Sequence, residues 1–320
     1  MQIVKKLSAK ERQIIGEFFS EHRIQNAEIA KKMRTSKELI TYHYGKLINE
    51  KIVRKVIPVI NYAKLGYSTY RLQIKFNKLG LEKQQEFIDY VKTIPQTSWI
   101  VTLDGAWDIV LLFLIKTPGE FDSLYKNILG EYGSLFGKKL FTIVTKISHF
   151  SPNYLSQTRR QSFVTGGTQE KFALDPLARN ILIHLLQDTR QPLLAIATKL
   201  KVSMNAVKYH VQQLEKQGII VGYRPILDIT ALGFEHFKIV LEFHDPSKIN
   251  LIREFLSIQT NVVYITESLG KYDLEFECEF ERVQGVLILL QKIKDLTELK
   301  EFEIFYKNQE VIVNELPKEL

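Results

Sequence analysis

LSAKERQIIGEFFS, residues 7–20, returns at residues 174–187 as LDPLARNILIHLLQ. With the same offset of 167 and no gap, residues 7–70 lie against 174–237 with 15 identities in 64. Chance pairing at ordinary composition would give only a handful, so the chain is an internal repeat. Shared positions include Arg23/Arg190, Ser36/Ser203, Tyr42/Tyr209, His43/His210, Ile52/Ile219, Pro58/Pro225 and Gly66/Gly233. A second block, WIVTLDGAWDIV at 99, matches YITESLGKYDLE at 264 with an offset of 165. The order is A-B-A′-B′. Between the repeats, residues 151–172 (SPNYLSQTRRQSFVTGGTQEKF) lack apolar periodicity and read as a linker.

Each A unit reads as three helices and a strand. Ser8 and Glu11 form an S-x-x-E capping box, and Asp175-Pro176 supplies a cap and a first-turn proline in A′. Short second helices follow at 26–33 and 192–200, then a turn with Ser36 or Ser203 as cap, then third helices at 37–50 and 204–217. KIVRKVIPVI and GIIVGYRPIL have strand character and are expected to form a β wing. This is the pattern of a winged helix-turn-helix, whose third helix enters the DNA major groove.

The candidate DNA contacts on the first reader are Ser36, Lys37, Thr41, Tyr42, His43 and Lys46. On the second they are Ser203, Asn205, Lys208, Tyr209, His210 and Gln213. Such side chains bond phosphates and base edges. Arg54, Lys55 and Arg224 are expected to hold the DNA backbone from the wing. Lys46→Glu is expected to weaken DNA binding and leave folding intact. Helix-turn-helix shapes also serve as protein-contact modules, and the Tyr-His pair reads equally as half-buried packing.

Each B unit reads β-α-β-β-α-β, with the second and third strands around Asp104-Gly105 in B and Gly270 in B′. That is the ferredoxin-like order. The expected fold class is α+β: winged helix-turn-helix domains at 1–60 and 173–227, alternating with ferredoxin-like domains at 61–150 and 228–320. Helices cover one face of each sheet, so the other face needs a partner. In B′ that face carries Glu275, Glu277 and Glu279; in B it carries Arg71, Gln73 and Lys75 with Val110, Leu112 and Leu114. The sequence predicts a pseudo-dimer within the chain, B on B′, with Arg71 or Lys75 meeting Glu275 or Glu277. B′ on B′ would oppose like charges.

Together the A and B units resemble the Lrp/AsnC (feast/famine) family of prokaryotic transcription regulators. The resemblance is carried by LSAKERQII, by LEKQGIIVGYRPILDITALGF at 214–234, and by the turns GAWD at 105 and GKYD at 270. It implies double-stranded DNA as partner and a small-molecule effector, commonly an amino acid, near Leu103, Asp104, Gly105, Asp108, Leu269, Gly270 and Asp273. On the residues alone, Gly105 and Gly270 equally make the turns and Asp108 and Asp273 equally cap them. The chain departs from the family by fusing two units, and by Lys51 where A′ has Gly218. Further self-association is left open, and no cofactor or metal is expected.

Siroheme decarboxylases resemble the same architecture and give the alternative of an enzyme. That resemblance implies a histidine shortly before the second hairpin strand. Here the stretches TSWIVTLDGAWD and VVYITESLGKYD hold neither His nor Arg. No catalytic triad, metal-ligand spacing or phosphate loop appears either, so no enzymatic activity is expected. A weakly selective DNA-organising protein is the other alternative. The composition is ordinarily globular, 320 residues with 45% hydrophobic, and the net charge of +8 is compatible with nucleic acid, though many cytosolic proteins reach it without a polyanionic partner. One cysteine, Cys278, excludes an internal disulfide and a Cys-based zinc cluster, and the cytoplasm is the expected compartment.

Overall fold

The computed structural model describes residues 4–77, 81–156, 158–312, 316 and 317. The first A unit folds as α1 (Ala9–Glu17), α2 (Asn26–Lys32), α3 (Lys37–Asn49) and β1 (Val53–Ile60). Ser8 caps α1 in the expected box, its hydroxyl accepting from the Glu11 N–H at 3.3 Å. Ser36 caps α3 in the same way at 3.1 Å. The first B unit follows as β2 (Ser68–Phe76), α4 (Leu81–Thr93), β3 (Thr97–Asp104), β4 (Ile109–Ile115), α5 (Pro118–Tyr132) and β5 (Phe136–Phe150).

The next segment differs from expectation. Residues 151–172, expected to be a linker, carry α6 (Asn153–Ser156) and β6 (Ser162–Gly166). β6 pairs antiparallel with β5, and Phe163 stacks on Phe19 with ring centroids 4.5 Å apart. Its Ser and Thr residues satisfy their backbone in a ladder, which needs no apolar periodicity.

The second repeat gives α7 (Pro176–Gln187), α8 (Leu193–Leu200), α9 (Met204–Lys216) and β7 (Ile220–Leu227). The last unit is β8 (Glu235–Phe243), α10 (Ile249–Ser257), β9 (Val262–Leu269), β10 (Leu274–Phe280), α11 (Val283–Leu296) and β11 (Leu299–Ile312). Among the described residues no helix is long and apolar enough to cross a membrane.

The two B sheets are one continuous structure. Strand order in the nine-stranded sheet is β2-β4-β3-β11-β8-β10-β9-β5-β6, and a further β2–β5 pairing closes all but β6 into a ring. Within it each unit keeps the ferredoxin-like order. The long last strands make the seams: β5 pairs first with β2 and then with β9, while β11 pairs first with β8 and then with β3. Val101, Leu103, Trp107 and Val110 of B pack on Val240, Tyr272 and Phe305 of B′ between the sheets. Separate cores lie under the helices of each unit, around Phe87 and Phe113 in B and around Ile252 and Phe276 in B′.

The β wing is also corrected. β1 and β7 do not fold back as wings but pair with each other, antiparallel, as a two-stranded ribbon between the A units. Apolar residues of α1, α3, α7 and α9 then share a single core, with Ile14, Ile40, Ile181 and Val207 all buried.

Candidate nucleic-acid interface

The third helix of each A unit presents one face to solvent. On α3, Ser36, Lys37, Thr41 and Tyr42 are exposed; on α9, Ser203, Asn205, Lys208 and Tyr209 are. The two tyrosines stand out at 67% and 57% exposure. Amphipathicity explains this. Ile40 and Leu47 face the core from α3, Val207, Val211 and Leu214 from α9, and the polar positions between them turn outward.

The shared Tyr-His pair divides. Each tyrosine points out while its histidine points in, edge-on to it at 5.4 Å in the first reader and 5.6 Å in the second. His43 Nδ1 lies 3.4 Å from Glu11 Oε1, and His210 Nδ1 lies 3.6 Å from Asp175 Oδ2. Both acids belong to the cap region of the first helix of their unit. His43 thus bonds the third helix to the first, and His210 lies beside the corresponding acid at ion-pair distance.

Lys46 is likewise committed, its ammonium donating to Glu11 at 2.8 Å. Burial pushes the Glu11 carboxyl up, but bonds from Lys46 and Ser8 outweigh it and hold the group at about 2. A glutamate at position 46 would face this buried carboxylate. Lys46→Glu is therefore expected to cost stability as well as a DNA contact. Gln213, its counterpart, is half-buried.

The basic residues assigned to a wing sit in the ribbon instead. Lys55 donates to the Leu186 carbonyl at 3.0 Å, and Arg224 donates to the Tyr264 hydroxyl at 2.8 Å. Both are half-buried and engaged with these partners rather than extended on a wing. Arg54 remains exposed, 3.5 Å from Asp228. Arg224 and Tyr264 tie the reader pair to the sheet ring. Tyr154 of α6 makes a second tie, donating to Glu279.

Two arginines that the sequence reading did not single out clamp the readers together. Arg23 donates to the Thr189 and Gln191 carbonyls at 2.9 and 2.6 Å. Arg190, its repeat equivalent, donates back to the Ile24 carbonyl and the Asn26 side chain. The signal was present: a charged residue identical in both repeats, just past the first helix.

At the B-unit turns, Asp108 accepts from the Phe76 N–H at 2.8 Å and from Lys75 at 2.6 Å. Asp273 accepts from the Phe243 N–H at 2.8 Å. Both acids fasten their hairpins to the neighbouring strand. Leu103 is buried between the sheets, while Leu269, Asp104, Gly105 and Gly270 are exposed. Gly105 and Gly270 carry each turn across the seam. A side chain at Gly105 would meet Phe305 at 3.5 Å, and one at Gly270 would meet Thr142 at 2.4 Å.

Comparison with known proteins matches this geometry. The winged helix-turn-helix DNA-binding family profile matches residues 174–221, which hold α7, α8, α9 and the start of β7 in the second reader. An HTH-type transcriptional regulator of Pyrococcus furiosus is 30% identical over 126 residues, 38% of this chain and 81% of that protein. The chain belongs to the HTH-type transcriptional regulators. The HTH-type transcriptional regulator Ptr1 of Methanocaldococcus jannaschii is 29% identical over 100 residues, 31% of this chain and 68% of that protein. Each of these regulators thus aligns with well under half of the tandem chain. The crystal structure of the siroheme decarboxylase NirDL shares the fold, with TM-score 0.64 over 94% of this chain and 91% of that one at 13% identity.

Proposed function

We propose that this HTH-type regulator binds double-stranded DNA with sequence specificity, α3 and α9 each entering a major groove. The observation that carries the reading is the pair of exposed third-helix faces, held by one ribbon and one shared core. Tyr42 with Lys37, and Tyr209 with Lys208 and Asn205, are the outward groups that reach phosphates and base edges. The ring of B and B′ sheets sets the spacing between readers. An effector of amino-acid class belongs to the same proposal at the two hairpin turns, because each turn touches the other unit's last strand and a ligand there would bear on the seams. A regulator of this kind acts on DNA in the cytoplasm. The likeness to NirDL is one of fold and supplies no reaction.

A gel shift with the duplex upstream of its own gene tests the reading. The full chain retards that duplex at physiological salt, and the Tyr42→Ala/Tyr209→Ala variant does so far more weakly. Equal retardation by both proteins would overturn the assignment of the third helices. Loss of siroheme absorbance on incubation, with no DNA retardation, would replace the regulator by an enzyme.

A further inference from the structure

We infer that the target of this chain is a non-palindromic duplex, with two unlike half-sites in inverted orientation, one read by α3 and the other by α9. The inference rests on the DNA-reading function above and names the class of DNA it requires.

The inverted orientation follows from the ribbon. Ile57 pairs with Arg224, its own repeat equivalent. On either side the partners exchange, Val56 pairing with Pro225 and Pro58 with Tyr223. A local two-fold axis therefore passes through the Ile57–Arg224 pair. α3 enters β1 through Lys51 and α9 enters β7 through Gly218, both in the left-handed conformation with φ of 58° and 68°. The same joint on both sides carries the two-fold out to the readers, and the reciprocal Arg23 and Arg190 bonds repeat it. Readers related by a two-fold axis meet half-sites in inverted order.

The half-sites are unlike because the reading faces are unlike. Ser36/Ser203 and Tyr42/Tyr209 are common to both and serve positioning. Lys37 stands where the second reader has Met204, Glu38 where it has Asn205, and Thr41 where it has Lys208; all six are exposed. Gly45 opens onto empty space where α9 holds the exposed Gln212. Asparagine and glutamine suit the N6/N7 edge of adenine, and methionine suits a thymine methyl. Lysine suits the O6/N7 edge of guanine, and glutamate accepts from cytosine N4. A dimer of identical chains repeats one face and selects a palindrome. Here the two faces share one polypeptide and one core, so neither can be duplicated by exchange of subunits.

Selection from a pool of random duplexes, using the full chain, tests this. A second protein carries α9 identities on α3: Lys37→Met, Glu38→Asn, Thr41→Lys and Gly45→Gln. Three of these sites are exposed and the fourth is open, and circular dichroism checks that the fold is kept. The wild-type chain should enrich an asymmetric sequence and bind it roughly tenfold or more tightly than either palindrome built from its halves, the worth of about one mismatched base pair. The exchanged protein should shift its preference to the palindrome of the α9 half-site. A palindromic wild-type consensus, retention of DNA without a consensus, or an unchanged preference in the exchanged protein would overturn the inference and leave DNA binding standing. Failure to retain any duplex would overturn the DNA-reading function itself.

Discussion

Arg71 of β2 and Glu275 of β10, 204 residues apart, meet as a buried bidentate ion pair between the two B sheets, with Arg71 Nη1 2.6 Å from Glu275 Oε2. Their side chains are 3% and 1% exposed. Lys238, the repeat equivalent of Arg71, donates to the same carboxylate at 2.8 Å. Val110 stands in B where B′ has Glu275. The acid is thus present once and its two bases come from both units. B′ packed on B′ would bury Glu275 against Glu275. Such a pair specifies the partner more than it stabilises the fold, because desolvation offsets most of the attraction.

Glu275→Ala should destabilise the chain by about 3–5 kcal/mol, since it leaves Arg71 buried without its carboxylate. Arg71→Met/Glu275→Leu should recover most of that loss. Denaturant unfolding of the three proteins gives the comparison. A Glu275→Ala cost below about 1 kcal/mol would contradict the pair's role.

Acid should unfold the ring through these carboxylates. Burial pushes Glu275 up, but Arg71 and Lys238 outweigh it and hold the group at about 2, against 4.5 when free. Glu277 is held lower still, burial being outweighed by Lys238 and His236. A depressed carboxyl contributes stability that is present above its unfolded value and lost as pH falls through its folded one. The carboxylates' contribution should therefore hold above about pH 5 and drain between about pH 4.5 and pH 2. Unfolding midpoints across that range should fall less steeply for Arg71→Met/Glu275→Leu. A stability unchanged from pH 5 to 2.5 would contradict the assignment.

Lys51→Gly should raise stability by roughly 0.5–1 kcal/mol. Lys51 holds φ at 58°, where its equivalent Gly218 holds 68° without a Cβ. The left-handed conformation costs a residue with a side chain about 1–2 kcal/mol, and the greater freedom of unfolded glycine returns part of that. Thermal unfolding checks the sign.

Tyr42→Ala and Tyr209→Ala should each leave stability within about 0.5 kcal/mol, because neither side chain belongs to the core. Each should weaken DNA binding by roughly tenfold, the worth of one or two hydrogen bonds. Fluorescence anisotropy with a selected duplex measures the second effect, and denaturant unfolding measures the first.

Much of this architecture was legible from residues alone. The third helices ran within a residue of expectation because capping serines and a 3.6-residue apolar period mark both ends. Arg71 opposite Glu275 was legible from strand alternation. Lys75 was not, because its flexible ammonium reaches Asp108 in the neighbouring hairpin of its own unit rather than the other sheet. The ribbon escaped notice because KIVRKVIPVI is equally apolar as a wing or as a strand whose partner lies a whole repeat away. Segment 151–172 escaped because Leu155 and Phe163 are isolated apolar anchors in a polar stretch, too few to make a period. The inward turn of His43 and His210 depends on acids at the start of another helix, which spacing along one helix cannot reveal.

The most direct test of two readers in one chain is a hydroxyl-radical footprint of the full-length protein on a selected duplex. Two protected patches on one face of the DNA, roughly one helical turn or a multiple of it apart, are predicted. Tyr42→Ala should weaken protection of one patch and Tyr209→Ala that of the other. A single patch lost equally in both variants, or no protection at physiological salt, would contradict the account.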